Sequence, residues 1–164
     1  MKTLYLIRHA KSDWSIEHLT DIDRPLNERG YNDAQKMSSV LKEKAIVPDL
    51  IISSPAIRAI STALIFCRSL NYDPKKILIN KFLYDTSVKD YLACISKTDN
   101  KHQIIFLFGH NPTITNTANT LTASVTEEMS TCCIAGIKSE QKEWADFNKE
   151  NNELIYFDFP KNHP

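Results

Sequence analysis

Glycine is scarce: Gly30, Gly109 and Gly136 are the only three in 164 residues, where average usage is about 7%. No two are spaced as GxG and none opens a GxxxxGK, so the dinucleotide fingerprint and the P-loop cradle are both excluded. Cysteine offers as little. Cys67, Cys94, Cys132 and Cys133 contain no CxxC pair, and the adjacent two are poor partners for each other, which argues against structural zinc and a disulfide framework. None is followed six positions later by arginine, so a Cys-x5-Arg thiol-phosphatase loop is missing as well. Net charge is zero, with 20 Lys and Arg against 20 Asp and Glu. No global field draws in a nucleic acid or a membrane, neither is expected as a partner, and any anion must be held locally. Apolar runs are short: Thr3 to Ile7 stops at Arg8, and Ile104 to Phe108 cannot span a bilayer. With no HExxH, carboxylate triplet or EF-hand spacing, no metal or cofactor is expected. The expectation is a soluble chain in a reducing, cytoplasmic setting. The length fits one domain over 1–164, with a core of about 2–159 and a frayed tail at 160–164.

What is present is a rhythm of strand and helix. Leu4 to Ile7, Leu50 to Ile52, Ile77 to Ile79 and Ile104 to Phe108 are short Ile- and Leu-rich runs that read as strands buried on both faces. Between them, Ala34, Met37, Leu41 and Ala45 recur at helical spacing after a candidate N-cap, Asn27. Ala59, Ala63, Phe66 and Leu70 do the same after Pro55, which suits a first turn. Further helices are predicted near Val88 to Ile95 and from about Pro112 to Leu121. Cys132 to Ile137 and Leu154 to Phe159 would extend the sheet, while Ser139 to Asn152 reads as a polar surface helix and loop. The pattern implies a three-layer α/β/α sandwich with a mostly parallel sheet. The cysteines read as small buried apolar groups, and His18, His102 and His163 as exposed.

Ligands of open α/β sheets gather beyond the carboxyl ends of the strands. There the chain is polar and cationic: Arg8-His9-Ala10-Lys11-Ser12 after the first run, Ser53-Ser54-Pro55 with Arg58 after the second, and Gly109-His110-Asn111-Pro112 after the fourth. In a parallel sheet two histidines and two arginines would therefore share one rim. Guanidinium forks match the oxygens of a phosphoryl group and stay charged at any working pH. A neutral imidazole beside them can attack phosphorus if a backbone carbonyl holds the proton on its other nitrogen, and a second imidazole adds charge stabilisation. Gly109 would allow close backbone approach, and a helix starting near Pro112 could aim amides at the anion.

LIRHAKSDW, RPLNERG at Arg24 to Gly30, SSPAIRA at Ser53 to Ala59, LYD at Leu83 to Asp85 and GHNP at Gly109 to Pro112 together resemble the histidine phosphatase superfamily, most of all its short SixA-like phosphohistidine phosphatase branch. The likeness covers roughly Lys2 to Ile137 and implies a phosphoglycerate mutase-like fold. It also implies His9 as the nucleophile that carries the phosphoryl group, Arg8 and Arg58 as phosphate clamps, His110 as the second histidine, and Asp85 as the acid that protonates the leaving group. The superfamily's first motif is usually RHG, and Ala10 stands in place of its glycine. Asn111 is a candidate substrate contact, though it also suits a turn-shaping and helix-capping role. Lys11 and Arg24 are candidates for the rim.

Only about 24 positions separate Asp85 from Gly109, enough for one helix and one strand but not for a lid. An open pocket suits a phosphorylated side chain on a folded protein, and the labile P–N bond of phosphohistidine needs little acid assistance. The alternatives are a small-molecule phosphomonoesterase or phosphoglycerate mutase-like enzyme, for which a mutase would need a closed site, and a non-catalytic phosphate-recognition module.

Overall fold

The computed structural model describes residues 1–124, 127–148 and 152–164. Strands β1 (Lys2–Arg8), β2 (Leu50–Ser53), β3 (Leu78–Ile79), β4 (Ile104–Gly109), β5 (Ile134–Ser139) and β6 (Glu153–Asp158) form one sheet in the order β3-β2-β4-β1-β5-β6. β1 to β4 pair in parallel, while β5 runs antiparallel to both β1 and β6. β5 is thus the one reversed strand, and the mostly parallel three-layer architecture is observed.

Alternation along the strands separates two cores. Leu4, Leu6, Ile105 and Leu107 face one side, where Tyr91 and Ile95 of α3 (Val88–Ser96) and Ile114, Ala118 and Leu121 of α4 (Thr113–Leu121) pack on them. Tyr5, Ile7, Phe106 and Phe108 face the other side, against Ala34, Met37 and Leu41 of α1 (Glu28–Glu43) and Ala63, Phe66 and Leu70 of α2 (Ile57–Leu70). Each such Leu, Ile or Phe taken fully out of water contributes about 1.5–3 kcal/mol. Because β1, β2 and β4 run parallel, their carboxyl ends open on one rim.

Asn27 is the N-cap of α1, its side chain accepting from the Gly30 amide at 2.8 Å. The helix ends before Ala45, which is exposed with φ 55 and so does not continue the apolar stripe. Pro55 lies just outside α2, whose N-cap is Ala56. β3 corrects a second expectation: it has two residues, and Leu78 and Ile79 are about half exposed because they lie on the sheet edge.

The polar stretch from Ser139 to Asn152 is not a surface helix over its described residues. Trp144, which opens a short 3-10 turn at Trp144–Asp146, and Phe147 just after that turn are fully buried. Lys2 lies over the Trp144 ring and donates its Nζ to the carbonyls of Asn100 and His102, so a buried cation closes this corner. Residues 149–151 of the stretch lie outside the described residues. The tail is pinned rather than frayed: Pro160–Asn162 forms a 3-10 turn, and Asn162 and His163 both bond the Asp158 carboxylate. His163 and His102 are half-buried, whereas His18 is exposed; Cys94 is half-buried and the other three cysteines are buried. No described helix is long and apolar enough to cross a membrane.

Candidate active site

Strand pairing brings the rim residues together. Arg8 is in register with Gly109, and Ser53 with Phe108. One residue further on, the His9 amide bonds the Gly109 carbonyl at 3.1 Å and the Ser54 amide bonds the Phe108 carbonyl at 3.0 Å. Three strand ends therefore stay laced together beyond their last residues. His9, His110 and Arg58 converge there: the two imidazole centroids are 5.1 Å apart, and Arg58 Nε points at His9 Nε2 across 3.4 Å.

The His9 Nδ1–H donates to the Ala10 carbonyl at 2.7 Å. That bond fixes the tautomer and leaves an unprotonated Nε2 facing the rim. Burial pushes the His9 pKa down to about 3, with His110, Arg58 and Arg8 adding to the effect and the Ala10 carbonyl opposing it. His110 is lowered to about 4, first by burial and then by Arg58. Both rings are neutral at pH 7 in the absence of an anion. His110 Nε2 meets Ser54 Oγ at 2.7 Å. Ser54 Oγ accepts from the Ala56 amide and has its own proton to give His110 Nε2; with that proton given, the ring N–H sits on Nδ1. That Nδ1 is buried and unpartnered, as is Arg8 Nε. Two orphaned nitrogens at one site are what an oxyanion would satisfy.

Arg8 Nη1 and Asn111 Nδ2 both donate to the Met129 carbonyl, at 2.9 and 2.8 Å. Asn111 Oδ1 in turn accepts from Thr115 Oγ1, and the Asn111–Pro112 peptide is cis. Asn111 is therefore held by the scaffold, in line with the turn-shaping role, and has one further Nδ2 hydrogen to offer a ligand. Ile114, in the first turn of α4, gives its amide to the His110 carbonyl and not to the rim. What approaches Gly109 closely is the Tyr91 hydroxyl, which a Cβ there would meet at 2.3 Å.

Asp21 escaped the sequence reading. It sits on a 3-10 turn, Asp21–Asp23, that folds over Arg58: Nη1 donates to its carbonyl at 2.6 Å and Nη2 to its carboxylate at 3.0 Å. Arg24 and the Tyr84 hydroxyl bond the same carboxylate. Tyr84 above all, then Arg24 and Arg58, hold Asp21 well below the usual carboxylate range. The one sequence signal was its three-residue spacing from Arg24. Arg24 is itself buried and tied to Asp21 and Ser12, so it braces the turn, while Lys11 is half-buried. Asp85 is exposed and lines a cavity of about 360 Å³ together with Asp21, Arg58, Tyr84, His110 and Asn111. Among the described residues no group of three or more His, Cys, Asp or Glu is arranged to hold a metal ion.

The family model of the histidine phosphatase superfamily (branch 1) matches residues 4–91. A SixA-assigned structure from Agrobacterium tumefaciens superposes with a TM-score of 0.80 at 28% identity, covering 95% of this chain and 96% of that one. The protein histidine phosphatase SixA complexed with tungstate gives 0.85 at 19% identity over 99% of both chains, a likeness of fold. Among curated sequences, the 2,3-bisphosphoglycerate-dependent phosphoglycerate mutase of Clavibacter michiganensis is 41% identical over 64 residues, which is 38% of this chain. The match spans only 26% of that mutase's length.

Proposed function

The chain belongs to the histidine phosphatase superfamily, and from that premise we propose that it removes the phosphoryl group of phosphohistidine in a protein through a phosphohistidine intermediate on His9. The observation that carries this reading is the His9 ring: its Nδ1–H is committed to the Ala10 carbonyl, and its bare Nε2 lies beside Arg58 and the His110 ring. Nε2 attacks phosphorus, a bond from His9 to phosphorus forms, and the bond to the substrate nitrogen breaks with its electron pair returning to that nitrogen. Water then attacks the phosphoryl group on His9, releasing inorganic phosphate and a proton and restoring the lone pair on Nε2.

Arg8 and Arg58 clamp the phosphoryl oxygens. Asp21 takes one N–H of each terminal Arg58 nitrogen and Nε–H points at His9, so the guanidinium is held in place with two of its five donors left for phosphoryl oxygens. His110 Nδ1–H adds a donor as charge builds on the oxygens. Asp85 lines the same cavity as Arg58 and His110, which supports assigning it to the leaving group.

Substrate choice follows from shape. Between Asp85 and Gly109 the chain makes only α3 and β4, so nothing inserted there roofs the cavity. A side chain of a folded protein reaches such a site, and water reaches the intermediate, which favours hydrolysis over mutase transfer. The curated mutase match favours a second reading, phosphoryl transfer on phosphoglycerates. The test compares a phosphohistidine protein with 3-phosphoglycerate in the presence of EDTA. Preferred, EDTA-resistant turnover of the phosphohistidine protein, absent in His9→Ala, is expected. Preference for 3-phosphoglycerate overturns the substrate, and turnover that survives His9→Ala overturns the nucleophile.

A further inference from the structure

The cavity beside the two histidines is lined by groups of opposite charge. Arg58 and His110 line it beside His9, and Tyr84, Asp85 and the half-exposed Asp21 line it with them, the Tyr84 ring lying 6.0 Å from the Arg58 guanidinium. Asp21 is fully occupied, one carboxylate oxygen on Arg24 and the other on Arg58 and Tyr84. Its bond to the Tyr84 hydroxyl, at 2.6 Å, fixes the Tyr84 ring edge-on to His110, with centroids 5.6 Å apart and planes at 79°. Asp85 follows immediately with φ 49, exposed, and engaged by no hydrogen bond or ion pair among the described residues. A fixed aromatic ring next to a free carboxylate is a cradle for a flat cation.

We propose that Tyr84 and Asp85 form a leaving-group subsite that selects a protonated imidazole, so that phosphohistidine is taken in its phosphoimidazolium form and phosphorylated carboxylic acids are rejected. The inference rests on the proposed phosphohistidine activity and adds to it what Tyr84 and Asp85 recognise. A phosphoryl group held by Arg58 and His110 places the attached ring against Tyr84, and the N–H on the ring's far nitrogen toward the Asp85 carboxylate. As the bond from His9 Nε2 to phosphorus forms, the P–N electron pair returns to the substrate ring. The ring keeps its far proton and leaves as neutral imidazole, so no residue has to donate a proton. The same carboxylate repels the carboxylate of a phosphoglycerate.

This role for Asp85 is the reverse of a proton donor's, and the two separate experimentally. The substitution is Asp85→Asn, since asparagine also tolerates the left-handed backbone. The readouts are kcat/KM on a phosphohistidine peptide and the inhibition constant and turnover of 3-phosphoglycerate. Loss of one unit of opposite charge is expected to lower kcat/KM on the peptide by about tenfold or more, while 3-phosphoglycerate binds more tightly. Tyr84→Leu is expected to weaken the peptide selectively in the same direction. An unchanged peptide rate overturns the subsite. So does a larger loss on 3-phosphoglycerate than on the peptide, because an alkoxide leaving group is the one that needs an acid. A wild-type protein that leaves the peptide untouched while hydrolysing 3-phosphoglycerate overturns the phosphohistidine reading itself; an active wild type with an indifferent Asp85→Asn overturns the subsite alone.

Discussion

Asp21 meets Arg58 twice, through its carbonyl and through its carboxylate, although 37 residues separate them. Two fixed contacts hold a planar guanidinium in one orientation, with Nε toward His9. A lysine offers a single rotatable ammonium and cannot hold Asp21 and an oxyanion in the same geometry. Arg58→Ala should lower turnover by ~10²-fold or more, since one preorganised donor contributes about 3 kcal/mol. Arg58→Lys should recover less than about a tenth of the wild-type rate. Steady-state kinetics on a phosphohistidine peptide decide it; a near-normal lysine variant would remove the case for the fork.

That contact was invisible in the sequence for a physical reason. Asp21 lies in a polar segment without periodicity, and its partners Arg58 and Tyr84 arrive from other elements. His9, Arg58 and His110 were legible because each follows a continuous apolar run, and β1, β2 and β4 are those runs. The same rule failed at Leu78 and Ile79: an edge strand has a neighbour on one side only, which composition does not reveal. Trp144 was missed because its burial depends on Lys2, from the far end of the chain, and on the carbonyl of His102, 42 residues away. The tautomer-fixing carbonyl was anticipated as a need, and Ala10 supplies it.

Acid should act on the two imidazoles in a defined direction. An unfolded histidine titrates near 6.5, whereas folded His9 and His110 titrate near 3 and 4. Between these values the unfolded chain binds more protons, so stability falls as pH drops below 6.5, each ring contributing up to about 1.4 kcal/mol per pH unit. Proton and nitrogen NMR should find His9 neutral, with the proton on Nδ1, from pH 8 down to 5. A His9 titration near 6.5 would contradict the burial argument. Phosphate should raise the His110 value, because a bound anion stabilises its cation.

Ser54 positions His110 without reaching the reacting atoms. Ser54→Ala leaves His110 Nε2 without its 2.7 Å partner and frees the ring to exchange tautomers. The lost bond to a buried group costs about 1–3 kcal/mol, and kcat should fall by ~10-fold or more for the same reason. The change should appear in kcat more than in KM, since Arg8 and Arg58 still hold the ground-state phosphoryl group. An equal effect on both would mean that His110 serves mainly in binding.

Tyr91 and Gly109 support His110 from behind. The buried Tyr91 hydroxyl donates to the Leu83 carbonyl and accepts the His110 amide, both at 3.0 Å. Tyr91→Phe strands both backbone groups, which should cost about 1–3 kcal/mol and lower the melting midpoint by about 2–4 °C per kcal/mol. Gly109→Ala attacks the same contact from the other side, because its Cβ would sit 2.3 Å from that hydroxyl and 2.9 Å from the ring. Overpacking of this kind costs about 1–3 kcal/mol. Once the hydroxyl is gone, the closest clash is gone with it, so the double variant should be less destabilised than the sum of the singles. Thermal melts of the four proteins close the cycle. Strict additivity would show that the Tyr91 hydroxyl is not what makes glycine necessary at the turn into His110.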